Sequence, residues 1–159
     1  MRRTTFLLAL LLALTGTLCR GQGKALTFEE AAKQGIPFQH LDSLYKSAVH
    51  TDAAQAVFKT TEEQAKLQQA YQQLLQDLGA FLRANDFKWE SQVRGANRIY
   101  LKPDGRIDYF LFHFPEGQLA PEKEKRFKQL LSRFIQEYRF AITAPEQFAQ
   151  CSAVRYADK

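Results

Sequence analysis

Apolar positions fall at helical spacing through most of the chain, with one stretch of strand-like alternation near residue 100. Thr27-Phe28-Glu29-Glu30 reads as a capping box. The Thr hydroxyl accepts from a free first-turn amide, and the Glu carboxylate reaches back to another. Gly35 supplies a left-handed stop, and Pro37 blocks continuation. Phe38, Leu41, Leu44, Tyr45, Ala48 and Val49 then predict a second helix. Asp52 is placed to cap a short Ala-rich turn through Val57. Thr60-Thr61-Glu62-Glu63 is a second capping box. It opens a helix over about 61–84, in which Leu67, Ala70, Tyr71, Leu74, Leu75, Leu78, Phe81 and Leu82 form one stripe. Gln and Lys occupy the other face, and Asn85-Asp86 ends the helix.

Residues 97–114 predict a hairpin around Lys102-Pro103-Asp104-Gly105. Pro presets the first turn angle, Asp favours the next position and Gly accepts positive φ. A three-residue loop with a glycine bulge groups Ile99 and Leu101 with Ile107, Tyr109 and Leu111. Arg98, Tyr100, Lys102 and Asp108 fall on the opposite face, joined farther from the turn by Phe110, Phe112 and Phe114. Three aromatics there require a cover, either the front helices or a partner. Pro121-Glu122-Lys123-Glu124 opens another helix, since Pro suits the first position and acids suit the positive helix end. Its stripe is Phe127, Leu130, Leu131, Phe134, Ile135 and Tyr138, and residues 148–156 form a final strand. The fold class is α+β: N-terminal helices plus a short antiparallel sheet, with strand-strand-helix-strand order at the C-terminal end.

The first residues change this picture. Met1-Arg2-Arg3 is a basic head, residues 6–14 are unbroken apolar, and small and polar residues follow to Gly21. This is the three-part layout of a secretory signal peptide, with cleavage expected after Gly21. Even extended to Leu18 the run is 13 residues, short of the roughly 17–25 a spanning helix needs. The division is therefore 1–21 signal peptide and 22–159 a single α+β domain, helical over 22–90, with the hairpin, helix and strand over 91–159. The protein is expected to be exported, to the periplasm or outside the cell. Arg2, Arg3 and Arg20 account for three of the 22 basic residues, so 19 remain against 17 acidic ones after cleavage. A chain near +2 with mixed signs gives no case for nucleic acid. Leu18 is too large for a lipoprotein site, and Cys19 leaves with the signal, so Cys151 stands alone without an internal disulfide. Burial is its expected state, as for most free cysteines.

Motifs for chemistry are missing. His40, His50 and His113 show no metal-ligand spacing with one another or with Cys151. No GxSxG elbow and no Gly-rich phosphate loop occurs. No metal and no cofactor is therefore expected. Arg98, Tyr100 and Lys102 on one hairpin face are the candidate binding residues, because Tyr and Arg are enriched in binding patches. The leading function is a non-catalytic binding or protein-interaction module with a protein or peptide partner in the envelope. The alternatives are a small exported hydrolase using His113 with Cys151 or a carboxylate, and a structural accessory protein that oligomerises through Phe110, Phe112 and Phe114.

Arg98-Ile99-Tyr100-Leu101-Lys102-Pro103-Asp104-Gly105-Arg106-Ile107 resembles the opening of the TonB C-terminal domain family. Leu119 to Phe140 is placed like that family's helix, and the resemblance covers about residues 97–156. It implies a periplasmic module that pairs a sheet edge with a partner peptide. The Pro-rich spacer and the permanent anchor of an energy transducer do not match here.

Overall fold

The computed structural model describes residues 23–158. The expected signal segment 1–21, with Cys19, lies outside the described residues. The elements are β1 (Lys24–Thr27), α1 (Phe28–Lys33), α2 (Phe38–Leu44), β2 (Lys46–Ser47), α3 (Thr61–Ala84), β3 (Val93–Leu101), β4 (Ile107–His113), α4 (Pro121–Glu137) and β5 (Phe148–Tyr156). A 3-10 turn at Ala53–Gln55 begins at Asp52, whose carboxylate accepts from the Ala54 amide. Both capping boxes form: Thr27 with Glu30 opens α1, and Thr60 with Glu63 opens α3.

Five strands make one sheet in the order β1-β4-β3-β5-β2. The hairpin β3–β4 and the pair β3–β5 are antiparallel, whereas β1 runs parallel to β4 and β2 parallel to β5. The α+β class holds, but the sheet is mixed rather than antiparallel. The parallel ladders come from two short segments of the front half that pair with strands far along the chain.

The second helix also ends earlier than its spacing predicts. Tyr45 is already extended, and Lys46–Ser47 join the sheet beside Phe148 and Ala149. Val49, on the apolar stripe of that spacing, is 44% exposed.

The faces of the hairpin differ from the expected partition. Tyr100 pairs with Tyr109 but Leu101 pairs with Ile107, so Asp108 is an extra residue in the ladder. This bulge reverses the alternation beyond it. Phe110 and Phe112 therefore share a face with Ile99, Leu101 and Ile107, not with Arg98 and Tyr100. That face packs against α3 and α4, and Phe114 joins the same core. The Phe127 ring from α4 lies 5.1 Å from Phe112 and 5.5 Å from Phe114. These aromatics are buried within the chain and present no surface for self-association. Trp89, stacked on Tyr156 at 4.6 Å, closes the same core at its far end.

α1 and α2 cover part of the second face, where Leu26, Ala31, Leu41, Tyr45, Tyr100 and Leu111 form a smaller core. The hairpin turn is tied to the segment between α4 and β5. Phe140 N–H donates to the Gly105 carbonyl at 2.9 Å, and Ala144 N–H to that of Pro103 at 3.0 Å. Gly105 has φ +80°, and a Cβ there would lie 2.7 Å from the Phe140 carbonyl oxygen. Gly105→Ala is expected to destabilise by about 1–3 kcal/mol from backbone strain alone, with the clash adding to it. Denaturant melting checks this, and an unchanged midpoint would mean the turn has another shape.

Candidate functional site

The residues that sequence marks for binding are engaged inside the chain. Tyr100 is 0% exposed beneath α2, not on an open face. Its hydroxyl donates to Asp42 at 2.9 Å, and the Arg98 guanidinium grips the same carboxylate through two nitrogens, Nε at 3.1 Å. Arg98 also lies over the Phe38 ring, 4.6 Å from its centroid. Lys102 pairs with Asp108 at 3.1 Å, and Tyr45 donates to the other oxygen of that carboxylate at 2.6 Å. Two carboxylates thus hold α2 and the start of β2 against the hairpin. Arg98 and Tyr100 do share a face, but α2 covers Tyr100, and no local pattern reveals such a cover.

His113 and Cys151 both lie on this second face, and Cys151 is exposed, contrary to the burial expected of a lone thiol. His113 pairs with Ala96, whose neighbour on β5 is Ala153. His113 and Cys151 are therefore two lanes apart, about 9.6 Å, and offset by two residues, about 7 Å. The imidazole stacks on Phe28 at 5.8 Å, on the β1 side of the sheet. No hydrogen bond joins the two side chains among the described residues.

The open part of this face is basic. Arg94 stands directly opposite Arg155, with Ala96, Ala153 and Cys151 as small neighbours. Like charges at directly opposed positions destabilise a ladder. Among the described residues neither guanidinium has an ion pair or hydrogen bond, whereas Arg98 is tied to Asp42.

A further feature is the outer edge of β5. The Ala149 carbonyl accepts from Ala48 N–H at 2.8 Å, so the Ala149 backbone points into the β2 lane. Backbone groups alternate in direction along a strand. Cys151, Ala153 and Arg155 therefore turn their N–H and C=O groups into the same lane. β2 occupies that lane only beside Phe148 and Ala149, and no described strand continues it. The Cys151 carbonyl accepts only a side-chain amide, that of Gln150, at 3.3 Å.

Two cavities lie between this edge and α3. At one end a cavity of about 270 Å³ is lined by Val49, Gln64, Leu67, Gln150 and Cys151. At the other, one of about 510 Å³ is lined by Leu75, Gly79, Arg83, Trp89, Arg155 and Tyr156. Between them Tyr71 and Ser152 share a hydrogen bond. Sequence reasoning missed these cavities because they depend on which strand ends the sheet.

Among the described residues no three His, Cys, Asp or Glu side chains converge to hold a metal, and no helix is long and apolar enough to cross a membrane. No family model, curated protein or solved structure matches the chain.

Tyr100→Ala is expected to cost about 3–5 kcal/mol, as for a buried aromatic cut to Ala, measured by denaturant melting. A loss below about 1 kcal/mol would mean that α2 does not seal the site. The tyrosines give a second expectation. Burial first, and then the Asp42 and Asp108 carboxylates, raise the Tyr100 and Tyr45 phenols above the ordinary 10.0. Burial, followed by Asp77, pushes Tyr138 up to about 12. These contributions are complete below pH 10.0, the unfolded value, and are lost as pH rises past it. Stability is expected to fall steeply above pH 10, with phenolate absorbance rising in step with unfolding. Phenols that all ionise near pH 10 in the folded state would contradict this packing.

Proposed function

We propose that the protein is an exported, non-catalytic interaction module that accepts an extended segment of a partner polypeptide along the open edge of β5. The observation that carries this reading is the vacant lane. β2 fills it for two residues, and three outward-facing backbone residues of β5 then follow with no neighbouring strand. An unpaired edge templates an incoming strand, and strand addition is a recurrent mode of peptide recognition. Each ladder bond formed contributes about 0.5–1.5 kcal/mol. The order β3-β4-α4-β5 accords with the TonB C-terminal domain resemblance, which implies edge pairing in the periplasm. The basic head and short apolar run at the N-terminus support export. The hydrolase alternative, in its Cys151 form, needs a His113–Cys151 hydrogen bond, and the two-lane separation works against that form. Oligomerisation through Phe110, Phe112 and Phe114 would need those rings at the surface.

A photo-crosslinking residue at Ala153, installed in living cells, tests the reading. A discrete protein adduct from position 153, and none from exposed Gln72 on α3, is expected in the envelope fraction. No adduct at 153, or equal yields from both positions, would overturn it.

A further inference from the structure

Resting on that edge-pairing reading, we infer that the segment taken up is acidic and that it seats beside β5 at the α3 side, with its carboxylates beside Arg83 and Arg155. Two independent observations carry this.

The first is charge. Arg83 and Arg155 line one cavity, and Arg94 faces Arg155 across the ladder. Among the described residues none of the three guanidinium groups has an ion-pair or hydrogen-bond partner, whereas the Arg98 guanidinium on the same face is tied to Asp42. The nearby Asp158 carboxylate is taken up by the Trp89 and Glu90 amides, at 2.9 and 2.8 Å. Two unpaired guanidinium groups, Arg83 and Arg155, at one end of an open strand edge favour a carboxylate-bearing partner.

The second is Gly79. Glycine inside a helix costs about 1 kcal/mol relative to alanine, and Gly79 lies well inside α3. Nothing in the packing requires it. A Cβ there would meet only the Arg83 guanidinium, at an ordinary 3.5 Å. What the missing side chain does is leave the cavity open beside Arg83, Trp89 and Arg155.

Other occupants fit less well. Residues 1–22 contain three arginines and no carboxylate side chain. A second copy paired edge to edge about Ala153 would set Arg155 of one chain beside Cys151 of the other. A second copy brings no carboxylate to that position, since the next residue across is Arg98, already paired with Asp42. The open edge beyond Ala149 accommodates about seven residues at about 3.3 Å each.

The test is selection of a displayed library of random peptides of about seven residues on the purified protein, followed by fluorescence anisotropy with the most enriched peptide. Enrichment of alternating β-branched and Asp or Glu residues is expected, with affinity that falls as salt is raised. Arg83→Gln and Arg155→Gln should each weaken that peptide about two- to fivefold, and Arg155→Glu more. Ala153→Pro removes one outward N–H and should abolish binding, since Pro is tolerated at an edge position whose N–H faces away from the sheet. Gly79→Leu should reduce binding at least tenfold by filling the cavity. Gly79→Ala, whose Cβ would meet the Arg83 guanidinium, should bind about two- to threefold more weakly while melting about 2–4 °C higher. The melting curve of every variant is read alongside, and the arginine and Gly79 series stands even if Ala153→Pro does not fold.

Enrichment of neutral or basic peptides would overturn the inference, as would affinity indifferent to Arg83 and Arg155. A dimer in sedimentation that Ala153→Pro dissolves would assign the edge to a second copy and equally overturn it. A specific adduct from position 153 together with no acidic selection leaves edge pairing standing and sinks this inference alone. Neither adduct nor selected peptide sinks both.

Discussion

One extra residue in β4 decides which core each side chain of the hairpin enters. Asp108 has no ladder partner, since Tyr100 faces Tyr109 and Leu101 faces Ile107. Without it the alternation of β4 would send Tyr109 and Leu111 under α3 and α4, and Phe110 and Phe112 under α1 and α2. With it, three phenylalanines fill the larger core, while Leu111 and Tyr100 fill the smaller. The bulged carboxylate is held by Tyr45 from one side and Lys102 from the other. The irregularity is thus tied to the point where α2 gives way to β2. The same point starts the lane that later stands empty.

Much of the fold was legible because its signals are local. The capping residues Thr27 and Thr60, the stripes of α3 and α4, the Asp-Gly turn and the final strand all depend on neighbours within a few positions. What escaped depends on distant partners. β1 and β2 are four and two residues long and are strands only because β4 and β5 lie alongside. Helical spacing through Val49 was overridden because Tyr45 reaches Asp108, 63 residues away. The second irregularity of the hairpin, at Asp108, was hidden behind the first, at Gly105. The candidate site followed the same rule. Alternation correctly placed Arg98 and Tyr100 on one side, but α2 covers Tyr100 and turns a surface reading into a core one. The β5 edge was beyond sequence reasoning, since strand order is not written in any local pattern.

The two faces of the sheet are unequal. One is sealed by two long helices. The other is covered over the β1–β4 end and left open where Arg94, Ala96, Ala153 and Arg155 meet. Positive charge without a local counter-ion is thereby concentrated on one part of one face. Local field and overall charge are different quantities here, and only the first bears on recognition.

The amide of Gln150 that reaches the Cys151 carbonyl has a consequence for colloidal behaviour. An open strand edge is an aggregation hazard, yet this one carries its own removable plug. A stray strand offering a single donor exchanges one hydrogen bond for another and gains little. A partner that arrives with several aligned groups displaces the plug once and keeps the rest. The Gln150 amide thus occupies one outward carbonyl of the edge, and the outward groups of Ala153 and Arg155 face the same lane with no neighbouring strand among the described residues.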